Sequence, residues 1–394
     1  MIHVLPLTLL LVPVLLNRRV WAVLRAHRAS LTRWTHPLTP AALWARFRFD
    51  PAAYGLPPRD ELDARRSGPP LPVYRRKEMH ALADACREKD WRPAAAYVEA
   101  AGHDWDERWS RVELLQEISR SGSAWVDAWR LAEPGNCDAA TLHALLLVHQ
   151  AWEVRGSGYA SQVPAPRMAQ FRALLPAAIE AARQAVPLGR ENPGPWVVMI
   201  TAARGAQYSP RTFDELWSGL VARAPHHYVA HWQALQFWCA KWAGSDAAML
   251  EFAKRAVERA PEGSPLAATY VHALRELEAR HGRVGFSREA RALLRRVAVS
   301  LRSVPAGDER LPPLRHLLAY YLGDAGLHDA ALEQFRLIGR WCGAEPWTDA
   351  PQPLAAFELA RATAARKAKG ARTRKGRGPG GAGSDVDRSA DAVA

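Results

Sequence analysis

The feature that most constrains this chain is a rhythm of proline-marked helix ends. The motifs QAVP, ARAP and ERAP close three amphipathic runs at Pro187, Pro225 and Pro261, spaced 38 and 36 residues apart. Proline lacks the N–H that a helix interior uses, so each motif reads as a stop. A new run then opens around an aromatic residue: Trp196 after the first stop, Tyr228 and Trp232 after the second, Tyr270 after the third. LAEPGN, with Pro134, is an earlier relative of the same signal. From Met79 to Ala365, Ala, Leu, Arg and Glu recur at three- and four-residue spacing, with no sustained period-two run of β-branched residues. A period in the mid-to-high thirties is that of helix pairs. A single pair cannot bury its apolar face alone, so neighbours must cover it. The expected fold is all-α, a solenoid of antiparallel helix pairs.

Charge decides the next question. The formal net charge is +13, but residues 1–49 hold seven Arg and no acid, and residues 361–394 hold nine basic and three acidic residues. Residues 50–360 are balanced, with 37 basic and 37 acidic side chains. A neutral body argues against a dedicated nucleic-acid groove and for no specific nucleic-acid partner; the ends offer only nonspecific, salt-sensitive attraction to polyanions. The four cysteines, Cys86, Cys137, Cys239 and Cys342, form no Cys-x-x-Cys pair, and they read as small buried residues in a reducing compartment.

Four segments follow. Residues 1–49 are hydrophobic and then basic and amphipathic. Residues 50–76 are rich in proline and read as an extended linker. Residues 77–365 are the helical-repeat domain. Residues 366–394 have almost no large apolar side chain and read as a disordered basic tail. The apolar run Ile2 to Leu16 is 15 residues long and would reach about 22 Å as a helix, short of the roughly 30 Å hydrocarbon core. Beyond it, Leu16, Val20, Val23, Leu24, Leu31 and Trp34 share one helical face, while Arg18, Arg25, Arg28 and Arg33 occupy the opposite arc. That pattern suits a helix lying on an anionic membrane surface. Arginines after the apolar run place the body on the cytoplasmic side.

Two resemblances bear on the repeats. In LRHLLAYYLGDAGLHDAALEQFRLIGRW, the residues Leu318, Gly326, Ala331 and Phe335 match the large–small–large positions of a tetratricopeptide repeat. This unit departs from that pattern at Arg315, where the repeat usually has Trp, and it lacks the closing Pro. Residues 79–290 resemble a bacterial family known only as domain of unknown function 4034, through AWEVRGSGYA (Ala151 to Ala160), KWAGS followed by MLEFAKRA (Lys241 to Ala256), and APEGSPL (Ala260 to Leu266). The resemblance implies a tetratricopeptide-like helical-repeat architecture and no established activity.

Two constellations are candidate sites. Trp152, Arg155, Lys241 and Trp242 lie in two turn-like corners, and their cations are of the type that grips an acidic group in a concave groove. The same corners also read as helix stops, with Gly244 ending one helix and Ser245 or Asp246 capping the next. His227 and His231 are four residues apart, and Cys239 follows eight residues after His231, a spacing that can place three metal ligands on one helix face. No glutamate stands between the histidines, so the metalloprotease pattern is absent. The competing reading is packing between repeats.

The sequence thus points to a non-catalytic scaffold that binds a protein or peptide, requires no cofactor, and sits in the cytoplasm or at the inner face of the cell membrane. The alternative is a metal-binding protein or enzyme built on His227, His231 and Cys239. Membrane contact is directly testable. Full-length protein is expected to sediment with membranes at low salt, and deletion of residues 1–34 to release it. A spanning anchor resists alkaline wash and a surface helix does not. A full-length protein found wholly in the soluble fraction excludes both modes.

Overall fold

The computed structural model describes residues 49–156, 163–242 and 244–369. The expectations for residues 1–34 and for most of the basic tail lie outside them. The described residues form fifteen α-helices and no strands; a lone parallel bridge joins Asp63 to Trp341. The helices are α1 (Val73–Arg87), α2 (Arg92–Glu99), α3 (Trp105–Ile118), α4 (Ala124–Ala132), α5 (Cys137–Arg155), α6 (Ala165–Ala185), α7 (Gly194–Ala203) and α8 (Pro210–Val221). They continue as α9 (Tyr228–Trp238), α10 (Asp246–Arg259), α11 (Thr269–His281), α12 (Arg288–Ser303), α13 (Leu311–Asp324), α14 (His328–Ile338) and α15 (Pro353–Lys367).

The proline rhythm has a structural counterpart. Pro187, Pro225 and Pro261 follow α6, α8 and α10 respectively, so each marks the end of an even-numbered helix. One period therefore contains one odd and one even helix. From α3 to α15 every odd-numbered helix packs against the next odd-numbered one, while α10, α12 and α14 pack in the same way on the other side. The odd row is the more apolar, because it is covered from both sides. Nine of the ten residues of α7 are buried. By contrast α12 buries one stripe, Leu293, Leu294, Val297, Ala298 and Leu301, and leaves its arginines in solvent.

Helix starts follow ordinary capping chemistry. Asp104 Oδ1 accepts the Glu107 N–H at 3.0 Å at the start of α3. Ser245 Oγ accepts the Ala248 N–H at 3.1 Å to open α10, as its position in the sequence suggests. The turn before Ser245 has to be glycine: a Cβ on Gly244 would lie 1.9 Å from the Trp238 carbonyl oxygen.

The segment 50–76 differs from a free linker. It is extended apart from two short 3-10 turns, Ala52–Tyr54 and Arg59–Glu61, it is strapped across the C-terminal helices, and α1 starts inside it at Val73. The Asp63 N–H donates to the Arg340 carbonyl at 2.8 Å, and the Cys342 N–H returns a bond to the Asp63 carbonyl at 2.9 Å. The Gly343 N–H donates to the Arg66 carbonyl at 2.8 Å; a Cβ there would meet Ala64 O at 2.5 Å, so the approach needs glycine. Leu56 is buried, and Arg361, only 1 % exposed, donates to the Pro57 carbonyl at 2.7 Å. Prolines had suggested a spacer because they forbid helix. They equally suit an extended chain whose polar groups are satisfied by a neighbour. At the other end, α15 runs to Lys367, so the basic tail begins two residues later than its composition implies.

Arg361 is the test of this strap. Burial lowers its pKa, opposed by Glu358, whose carboxylate lies 3.7 Å away. Arg361→Leu is expected to cost about 3 kcal/mol, because Glu358 and the Pro57 carbonyl lose a buried partner. Urea denaturation reads the loss, and limited proteolysis is expected to cut between residues 50 and 72 sooner than in the parent protein.

Candidate binding site

Helices α5, α7 and α9 stand side by side, and their C-terminal ends meet at one corner. Trp152 and Arg155 come from the last turn of α5, Arg204 follows α7, and Gln233 lies in α9 with Lys241 and Trp242 just beyond it. The Trp152 indole is the hub. Its ring packs edge-on to Phe171 at 5.0 Å and to Trp242 at 5.7 Å. The Arg204 guanidinium lies 4.9 Å from the Trp152 ring centre, and that of Arg155 lies 5.5 Å from Trp152 and 5.6 Å from Trp242. Behind the hub a Cβ on Gly205 would meet Leu175 at 2.7 Å and Phe171 at 2.8 Å, so the aromatic wall is tightly backed.

The polar partners of this corner are unequal. Arg204 donates to Gln233 Oε1 at 2.6 Å, and Arg155 to the Gly156 carbonyl at 3.0 Å. Among the described residues neither arginine forms an ion pair with a carboxylate. Burial pulls Arg204 down to about 10, with Cys239 and Glu276 opposing the fall and Arg155 adding to it. Lys241 is engaged: its ammonium donates to Glu276 Oε2 at 2.7 Å, while Gln236 donates to Glu276 Oε1 at 2.9 Å. Trp152, Arg155 and Trp242 thus converge, and Lys241 is turned to α11. The cation that completes the corner is Arg204. Nothing in MITAAR, where it ends an apolar helix, sets it apart in the sequence.

The metal candidates do not converge. His227 is not within a helical turn; it is the N-cap of α9, and its Nδ1 accepts the Ala230 N–H at 3.2 Å. Its ring meets Trp109 edge-on at 6.0 Å. His231 bonds through Nδ1 to the His227 carbonyl at 2.9 Å and packs against Trp217 at 4.8 Å. Cys239 ends α9 and faces Leu235 O and Met249 Sδ at 3.3 and 3.1 Å. His272, on the neighbouring α11, bonds to the Tyr228 hydroxyl at 2.8 Å. Among the described residues no group of three or more His, Cys, Asp or Glu is placed to hold a metal ion. Helical spacing brings His227 and His231 together only if both are helical, and the cap geometry of His227 removes that condition.

A second polar cluster joins distant parts of the chain. Asp106 Oδ1 accepts the Tyr228 N–H at 3.0 Å and Arg310 Nη1 at 3.3 Å, linking α3 to the start of α9 and the approach to α13. Arg310 is also clamped by both oxygens of Asp308. Asp106 stands with Glu107 in the first turn of α3, where acids favour the helix dipole, but its bonds to Tyr228 and Arg310 are the larger part of its role. Nearby, Glu113 of α3 is exposed to solvent at its outer edge but desolvated by the groups packed around it. That desolvation raises its carboxyl to about 7 against the lowering influence of Trp109 and Arg310. A cavity of about 10 Å³, room for about one water, is lined by Trp109, Asp138, Asn192 and His227.

Comparison with family models, curated proteins and solved structures finds no match for this chain. No helix of the described residues is long and apolar enough to cross a membrane.

The buried histidines make stability depend on pH. Burial lowers both His231 and His316 from 6.5 to about 4. His316 is held neutral between the Trp347 indole N–H, donated to its Nδ1 at 2.9 Å, and the Ser67 carbonyl 2.9 Å from its Nε2. The unfolded chain takes up protons near 6.5 and the folded one only near 4. Their contribution is therefore complete above pH 6.5 and is lost as pH falls from 6.5 through 4, up to about 3 kcal/mol per histidine. Urea midpoints are expected to drop steadily from pH 7.5 to pH 5, with a shallower slope in His231→Gln.

Proposed function

We propose that the protein is a tetratricopeptide-like α-solenoid that binds a protein or peptide along the face of its odd-numbered helices. The architecture implied by the likeness to domain-of-unknown-function family 4034 is part of this reading. The observation that carries it is the continuous row from α3 to α15, in which each odd helix lies against the next. Such a row offers an extended surface rather than a closed pocket, and side chains along it, half-buried except for the buried Tyr228, are suited to contact. Trp152, Arg155 and Trp242 form one cluster, and Tyr228, Trp232 and His272 form another, the rings of Trp232 and His272 lying 6.4 Å apart. Trp and Arg are enriched among the residues that dominate binding energy at interfaces, the indole because it buries much area with few rotatable bonds and the guanidinium because its planar fork stacks and donates several hydrogen bonds. The reading includes attachment to the cytoplasmic face of a membrane through residues 1–34 and requires no catalytic group.

The full-length protein, cross-linked in its native cell and analysed by mass spectrometry, is expected to give partner cross-links concentrated on odd-numbered helices. Trp242→Ala is expected to weaken capture about tenfold, the cost of one interface anchor. Cross-links confined to residues 370–394, or capture unchanged by Trp232→Ala and Trp242→Ala together, would show that the row is not the binding face.

A further inference from the structure

We propose that Arg155 and Arg204, stacked on Trp152, form a binding site for a phosphoryl dianion. The corner is unusual in its charge. Several partly buried arginines meet carboxylates: Arg108 pairs with Asp138, Arg111 with Glu107, Arg275 with Glu278, and Arg310 with Asp308 and Asp106; Arg223 instead bonds to the carbonyls of Arg190 and Gly219. Arg155 and Arg204 have no such partner among the described residues. The nearest acid whose field reaches Arg204 is Glu276, and both its oxygens are taken by Lys241 and Gln236. Lys241 and Glu276 cancel, which leaves two guanidinium charges uncompensated.

A desolvated charge without a counter-ion is costly, and contact with an indole face offsets only part of that cost. Each guanidinium carries five N–H donors in a rigid fork. The hydrogen bonds to Gln233 and Gly156 occupy one nitrogen of each, leaving further donors unused. The buried Trp152 Nε1–H also has no acceptor. All of these groups donate, and a phosphoryl group offers only acceptors there. Both guanidinium carbons lie within 5.5 Å of one ring centre, and the charge of Arg155 acts on Arg204, so the two cations share one neighbourhood. A carboxylate neutralises one of them; a dianion neutralises the pair. The site is independent of the groove reading except in what presents the phosphoryl group. Free phosphate and a phosphorylated side chain of a partner share the same chemistry.

The test uses full-length protein at low ionic strength, titrated with inorganic phosphate and followed by calorimetry. Saturable binding at one site is expected. Arg155→Gln is expected to weaken it at least tenfold and Arg155→Lys less, since Lys keeps the charge but loses the fork. Arg302→Gln, at an exposed pair with Glu333, is expected to leave binding unchanged. Arg204→Gln is expected to match Arg155→Gln; if it does not fold, the two Arg155 variants decide. A peptide carrying one phosphoserine that binds at least tenfold tighter than phosphate identifies a partner side chain as the source, and equal affinity identifies the free anion. Absence of saturable binding, equal affinity in Arg155→Gln, or acetate binding as tightly as phosphate would overturn the proposal. Partner capture by Arg155→Gln is measured alongside. Its retention with phosphate binding lost leaves the groove standing apart from the site; in the parent protein, saturable phosphate binding without partner capture on the odd-numbered helices removes the groove and keeps the site.

Discussion

The central odd-numbered helices, α7 above all, are apolar over more of their surface than one neighbour can cover, and the rest of the structure follows from that constraint. Helix α7 buries nearly its whole circumference, so it needs α5 and α9 beside it and α6 and α8 behind it. Stacking satisfies this requirement for the interior of the row but not for its ends. The exposed end of α15 is covered by the strap at residues 50–72, whose extended backbone lends hydrogen bonds to Arg340, Cys342 and Gly343 and whose Leu56 is buried. A segment too rich in proline to fold alone thus becomes a lid for a surface that would otherwise be apolar and open.

Polar groups then fix how the stacked pairs sit. Asp106 holds Tyr228 and Arg310, residues far from it in sequence, and so relates the first helices to the last. His316 bridges Trp347 and Ser67 in the same fashion at the strap. These buried groups are satisfied by partners from distant segments, which makes the arrangement specific as well as stable. The price is sensitivity to acid, since neutral imidazoles must charge when the chain unfolds.

The corner of Trp152, Arg155 and Arg204 brings two unpaired cations together on one indole. Its packing is as tight as elsewhere, with Gly205 admitting no side chain, yet its charges are left open. A rigid aromatic wall carrying unpaired donors has the properties of a preorganised recognition surface, because little ordering remains to be done when a ligand arrives.

Much of the fold was legible in the sequence, for a local reason. Helix periodicity, the stops at Pro187, Pro225 and Pro261, and the cap at Ser245 all depend on residues within a turn or two of one another, so they can be read from the chain directly. The convergence of Trp152 with Trp242 was only suggested, since their corners lie some ninety residues apart. The fate of Lys241, the inclusion of Arg204, the hub at Asp106 and the docking of the proline-rich strap had no local signature. Each is set by which side chain a distant helix presents at the same point in space. The metal grouping of His227, His231 and Cys239 failed for the same reason in reverse: the spacing was right for a helix, but His227 is spent capping one. Sequence fixes where helices begin, end and turn their apolar faces; only the stacking decides which charges find partners and which are left without.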